Sequence, residues 1–95
     1  MKKFYNDIAD VLNMLKGIET DLNIKHFSPN ELKVFYTIVS SEANRGAQCN
    51  ISDVVNSSGM SRSTVYKTLR KLSHEGIIAL DQSPDDKRES LINFS

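Results

Sequence analysis

Apolar residues along the first segment, from about Lys3 to Leu22, fall at Phe4, Ile8, Val11, Leu15, Ile18 and Leu22. The spacing alternates between four and three, which is a heptad seam and predicts an amphipathic helix. Ala9, Leu12 and Met14 widen its apolar surface, and Gly17 weakens it locally. Two readings stay open: the helix lies on its own core, or it pairs with a second copy. One helix can do both. Asn23 to Phe27 reads as a connector. Ser28-Pro29-Asn30-Glu31 then starts a second helix, with Ser28 as N-cap, Pro29 in the first helical position and Glu31 completing a capping box. Leu32, Phe35, Ile38 and Val39 form its inner face, and it should end near Ala43, before the loop Asn44–Gln48.

Cys49-Asn50-Ile51 reads as a very short strand. Ser52 is expected to cap a short helix that carries Val54 and Val55 and stops near Asn56. Ser57-Ser58-Gly59-Met60 is a tight turn in which Gly59 supplies the left-handed conformation. Ser61 caps a further helix, about Arg62 to Glu75, with Gly76 at its C-terminal stop. Ile77–Leu80 and Ser90–Phe94 are β-rich runs joined through Ser83-Pro84-Asp85-Asp86, which is turn chemistry. The fold class is therefore α+β, mainly α, in the order α-α-β-α-α-β-β. That is a winged helix-turn-helix with an extra N-terminal helix. We expect one domain over 1–95: the N-terminal helix 3–22, a helical core with the helix-turn-helix over 28–75, and a wing over 77–94.

Within the Ser61–Glu75 helix, Val65, Leu69 and Leu72 share one sector at about 100° per residue. Ser63, Lys67 and Arg70 lie nearly opposite, flanked by Tyr66 and Lys71. Small hydroxyls near the helix start and cations further along suit the major groove of DNA. Ser and Thr bond to several bases there, and Lys or Arg to guanine.

Charge refines this picture. The chain is neutral overall, with 12 basic and 12 acidic residues, whereas nucleic-acid-binding domains are usually basic. Yet Ser61 to Leu72 holds four basic residues and no acidic ones, a local stripe able to steer a phosphate backbone. The single cysteine, Cys49, rules out an intramolecular disulfide and a cysteine-cluster zinc site, and nothing beside it in sequence clearly activates its thiol. His26 and His74 lack a ligand cluster. No phosphate loop, metal signature or nucleophile motif is present, so no enzyme activity, cofactor or metal is expected. Asn6, Asp7 and Asp10 interrupt any signal-peptide core, and no stretch is long enough to span a bilayer. A cytoplasmic location is the default.

Asp86-Lys87-Arg88, with Phe94-Ser95 at a Leu-Thr position, resembles the wing and third strand of the MarR (multiple-antibiotic-resistance regulator) family. Ser61-Arg62-Ser63-Thr64-Val65 and Leu69…Leu72…Gly76-Ile77-Ile78 resemble its recognition helix and second strand. The staphylococcal Sar-type regulators share the design. The resemblance covers about Ser28 to Ser95. It implies a homodimeric transcriptional regulator, such as a repressor, acting at a pseudo-palindromic operator on double-stranded DNA. Ser61, Arg62, Ser63, Thr64 and Lys67 would enter the major groove, and Arg88, at the wing tip, a minor groove. Tyr66, Arg70, Lys71 and Lys87 complete the expected DNA-binding set. MarR-type chains continue into C-terminal helices that help to form the dimer. Here the dimer is expected on Phe4, Ile8, Val11, Leu15, Ile18 and Leu22. The alternatives are a winged-helix protein-interaction module and a plasmid or phage protein that binds a centromere or origin.

Overall fold

The structure, a computed structural model, describes residues 1–45, 49–82 and 90–94. Its elements are α1 (Lys2–Asp21), α2 (Pro29–Arg45), β1 (Cys49–Asn50), α3 (Ile51–Ser58), α4 (Arg62–His74), β2 (Ile78–Gln82) and β3 (Ser90–Phe94). The three strands form one antiparallel sheet in the order β1-β3-β2. Ile78 pairs with Phe94 and Gln82 with Ser90, while Cys49 pairs with Ile92. With the helices, this is the winged helix-turn-helix expected from the sequence.

The helix ends follow from local chemistry. The Ser28 N–H donates to Glu31 Oε1 (2.9 Å) and the Glu31 N–H to Ser28 Oγ (3.2 Å), a reciprocal capping box. Ser61 Oγ accepts from the Thr64 N–H at the start of α4. Gly59 (φ 71°) and Gly76 (φ 75°) both sit in the left-handed region, closing α3 and α4. At the end of α4 the Ile77 N–H reaches Leu72 O and the Gly76 N–H reaches Ser73 O, a Schellman motif. The same motif ends α1, with Asn23 (φ 61°) in the glycine position: its N–H reaches Thr20 O and that of Ile24 reaches Glu19 O. Asparagine visits this conformation more readily than most residues, and here its side chain reaches across to Glu75.

Several boundaries differ from expectation. The cap of α3 is Asn50, whose Oδ1 accepts from the Asp53 N–H at 2.8 Å, and not Ser52. α3 also runs on to Ser58 and α2 to Arg45. Val39 is exposed and not on the inner face of α2, a place taken by Val34 with Phe35 and Ile38. The connector after α1 is not mere linker, since Ile24 and Phe27 are buried.

The core joins α2, α3, α4 and the sheet through Ile24, Phe27, Val34, Phe35, Ile38, Ile51, Val54, Val65, Leu69, Leu72, Ile78 and Ile92. α1 stands apart. None of its residues is buried, and among the described residues its body packs on no other element. The molecule is accordingly elongated, 50 × 24 × 23 Å. Phe4 is 63% exposed, and Ile8 and Val11 each 55%. Among the described residues, the seam from Phe4 to Ile18 therefore finds no cover on the chain's own core. Leu22, the last position of the seam, sits just past the end of α1 and is half-buried against the core.

The base of α1 is braced. The Tyr36 hydroxyl on α2 donates to Glu19, and Asn23 Nδ2 donates to Glu75 Oε2 at 3.0 Å. Burial, then the hydrogen bond and charge of Glu19, push the Tyr36 phenol up to about 12.

A Cβ on Gly76 would meet nothing within 4 Å, so a side chain there is opposed by backbone conformation alone. Gly76→Ala should therefore lower stability by about 1–2 kcal/mol, read as a shift of the urea midpoint with an unchanged slope.

Candidate nucleic-acid interface

α4 is amphipathic in the strict sense that its two faces meet different surroundings. Val65, Thr68, Leu69 and Leu72 are buried. Arg62, Ser63, Tyr66, Lys67 and Arg70 are exposed, and among the described residues no element lies across them. Thr68 was missed from the sequence as a core residue. Its hydroxyl is satisfied by Thr64 O at 2.8 Å, so it is buried without an orphaned donor.

The start of α4 is a hydroxyl cluster. Ser61 Oγ lies 3.1 Å from Ser63 Oγ and donates to Thr64 Oγ1 at 3.0 Å. Ser61 and Ser63 are exposed and Thr64 is half-buried. Arg62 Nη2 donates to Ser52 Oγ on α3 at 3.1 Å, which holds its guanidinium toward the preceding helix. Ser52, expected as a cap, instead joins the two helices of the helix-turn-helix. No signal in the sequence reveals that role, because it depends on how α3 and α4 cross.

Lys71 is placed differently from its neighbours. Its Nζ donates to Glu31 Oε1 at 3.0 Å and lies 2.7 Å from Oε2, the second contact being a close ion pair without hydrogen-bond alignment. It also stands over the Phe27 ring, 5.4 Å from the centroid. The expectation that Lys71 flanks the open face is corrected: its charge is turned inward, where it neutralises a carboxylate only 4% exposed. Burial raises the Glu31 pKa. The Lys71 hydrogen bond, the Ser28 bonds and the Lys71 charge outweigh it, so the carboxyl is held below its ordinary 4.5.

Lys87 and Arg88, with the other wing-tip residues 83–89, lie outside the described residues. Strands β2 and β3 pair up to Gln82 and Ser90 on either side of them. The expected pairing residues Phe4, Ile8, Val11, Leu15 and Ile18 lie on α1 and are brought to no other element. Among the described residues no group of His, Cys, Asp and Glu could hold a metal ion, and no helix is long and apolar enough to cross a membrane.

A helix-turn-helix with a three-stranded wing and an open, cationic second helix defines the winged-helix class of transcriptional regulators. The sequence profile of the TrmB family, described as sugar-specific transcriptional regulators, matches residues 22–89, and the chain belongs to that family. Solved structures agree on the fold. MarR superposes with a TM-score of 0.59 at 15% identity, over 97% of this chain and 64% of its own. A MarR-like transcription regulator from Bacillus cereus gives 0.59 at 19% identity, over 99% and 65%. AbsC, a MarR family regulator from Streptomyces coelicolor, gives 0.58 at 15%, over 99% and 62%. The chain thus spans less than two thirds of the length of each of these three. No curated protein matches it.

Glu31→Gln should cost about 1–3 kcal/mol at neutral pH, because it leaves Lys71 facing a neutral amide. Since the folded pKa is depressed, the carboxylate's contribution is present above the unfolded value and is lost as pH falls through the folded one. Denaturation series should show the gap between wild type and variant closing below about pH 4.5.

Proposed function

We propose that the chain binds double-stranded DNA sequence-specifically as a homodimer, with α4 in the major groove, and so regulates transcription at a pseudo-palindromic operator. The observation that carries this is the uncovered face of α4, where Arg62, Ser63, Tyr66, Lys67 and Arg70 all reach solvent. The inner residues lock the helix to the core, so presenting the outer ones needs no rearrangement. Ser61, Ser63 and Thr64 are small enough for the helix start to approach base edges, which is how such helices dock. Lys67 and Arg70, further along, suit guanine edges or phosphates. Lys71 acts in this reading as a positioning residue through Glu31. Lys87 and Arg88 are assigned to an adjacent minor groove, where a narrow groove attracts arginine.

The dimer is assigned to α1, where Phe4, Ile8, Val11 and Ile18 of the seam are exposed to water in a single copy and Leu15 is half-buried. Two copies would set two α4 helices about one turn of DNA apart, ~34 Å. Simple occlusion of a promoter then suffices for repression.

Lys67→Ala and Arg70→Ala should each weaken binding to a selected duplex roughly tenfold, while the unfolding midpoint stays unchanged. Loss of a phosphate contact should also lower the slope of log K against log salt by about one unit. Full affinity in both variants would remove α4 from the interface. Selection of bound duplexes from a random pool should return a palindrome.

A further inference from the structure

α1 carries its charges the wrong way round for an isolated helix. Lys2 and Lys3 open it with no acid in the first turn, and Glu19 and Asp21 close it with no base in the last. The helix dipole leaves partial positive charge at the start and negative at the end, so both ends are disfavoured in a single copy. At the base of α1 lies an open cleft of about 380 Å³, lined by Leu22, Phe35, Ile77 and Phe94 with Asp21 and Glu75 among its walls. Its apolar lining and carboxylates match what the free start of α1 presents: the lysines Lys2 and Lys3 followed by Phe4 and Tyr5, which are 63% and 72% exposed.

We infer that this cleft receives the first turn of α1 from a second copy, in an antiparallel α1–α1 pair. The inference rests on the dimer reading above and adds its direction, register and end contact. Twenty residues of helix span about 30 Å, so each start lies beside the other's end when the two run side by side. With Phe4 against the partner's Leu22, Ile8 meets the partner's Ile18 and Val11 the partner's Leu15. Every position of the seam is then used. Leu22 lines the cleft, so this register delivers Phe4 into it and carries Lys2 and Lys3 toward Asp21 and Glu75. Asn23 steadies Glu75 by its 3.0 Å bond, and Tyr36 occupies Glu19. The two dipoles oppose, and each basic start faces an acidic end. A parallel pair would stack lysines on lysines and leave both clefts open. The ion pairs are partly exposed, so they set orientation more than affinity.

Charge reversal tests this on the full chain by sedimentation equilibrium at low salt. Lys2→Glu with Lys3→Glu, and separately Asp21→Lys, should each weaken self-association about tenfold, and the three together should restore it to within about threefold. Each change improves the fit of α1 to its own dipole. Unchanged helix content by circular dichroism then excludes loss of the helix as the cause. Dimers unaffected by either reversal would overturn the antiparallel register while leaving the dimer. An unaltered chain that stays monomeric would overturn the pairing and the dimer reading beneath it.

Discussion

Glu31 is the residue on which the geometry of the helix-turn-helix depends. Its carboxylate is buried at the start of α2, bonded by Ser28 from its own helix and by Lys71 from α4. A buried carboxylate left without a cation is costly, so α4 must bring Lys71 to it. That contact agrees with the burial of Val65, Leu69 and Leu72 in setting the rotation of α4 about its axis. With Lys71 facing α2, Val65, Leu69 and Leu72 fall on the core, and among the described residues no element covers Ser63, Lys67 and Arg70. The part-buried ion pair thereby separates Lys71, which is structural, from Lys67 and Arg70, which are exposed.

Charge distribution reconciles a neutral chain with the proposed contact to a polyanion. The net charge of zero is a sum over regions with different jobs. The charged groups on the exposed side of α4 are all basic, while acidic residues gather at the base of α1 and in the sequence of the wing segment. Attraction of this kind is local and falls off within a Debye length, so it is more salt-sensitive than that of a uniformly basic domain.

Much of the fold was legible because it is written in short-range chemistry. Ser28, Pro29 and Glu31 announce α2, Ser61 announces α4, and Gly59 and Gly76 mark conformations that other residues resist. The errors arise where the deciding partner is distant. Asn50 and Ser52 are both competent caps, and the choice between them was made by where β1 stops to pair with β3. Lys71 looked like part of the open face because helical angles alone place it on the flank, while its partner lies 40 residues away. Ile24 and Phe27 were hidden in a connector with no periodicity. The heptad of α1 reads the same whether its cover is the chain's own core or another copy, and only the three-dimensional arrangement shows the core turned elsewhere.

Contact between the outer side of α4 and the duplex can be followed by titrating a selected operator into isotopically labelled protein and recording backbone and side-chain resonances. The largest changes should fall at Arg62, Ser63, Tyr66, Lys67 and Arg70, with Lys71 and the core little moved. Changes confined to α1 or the cleft at its base, with α4 silent at saturation, would contradict it.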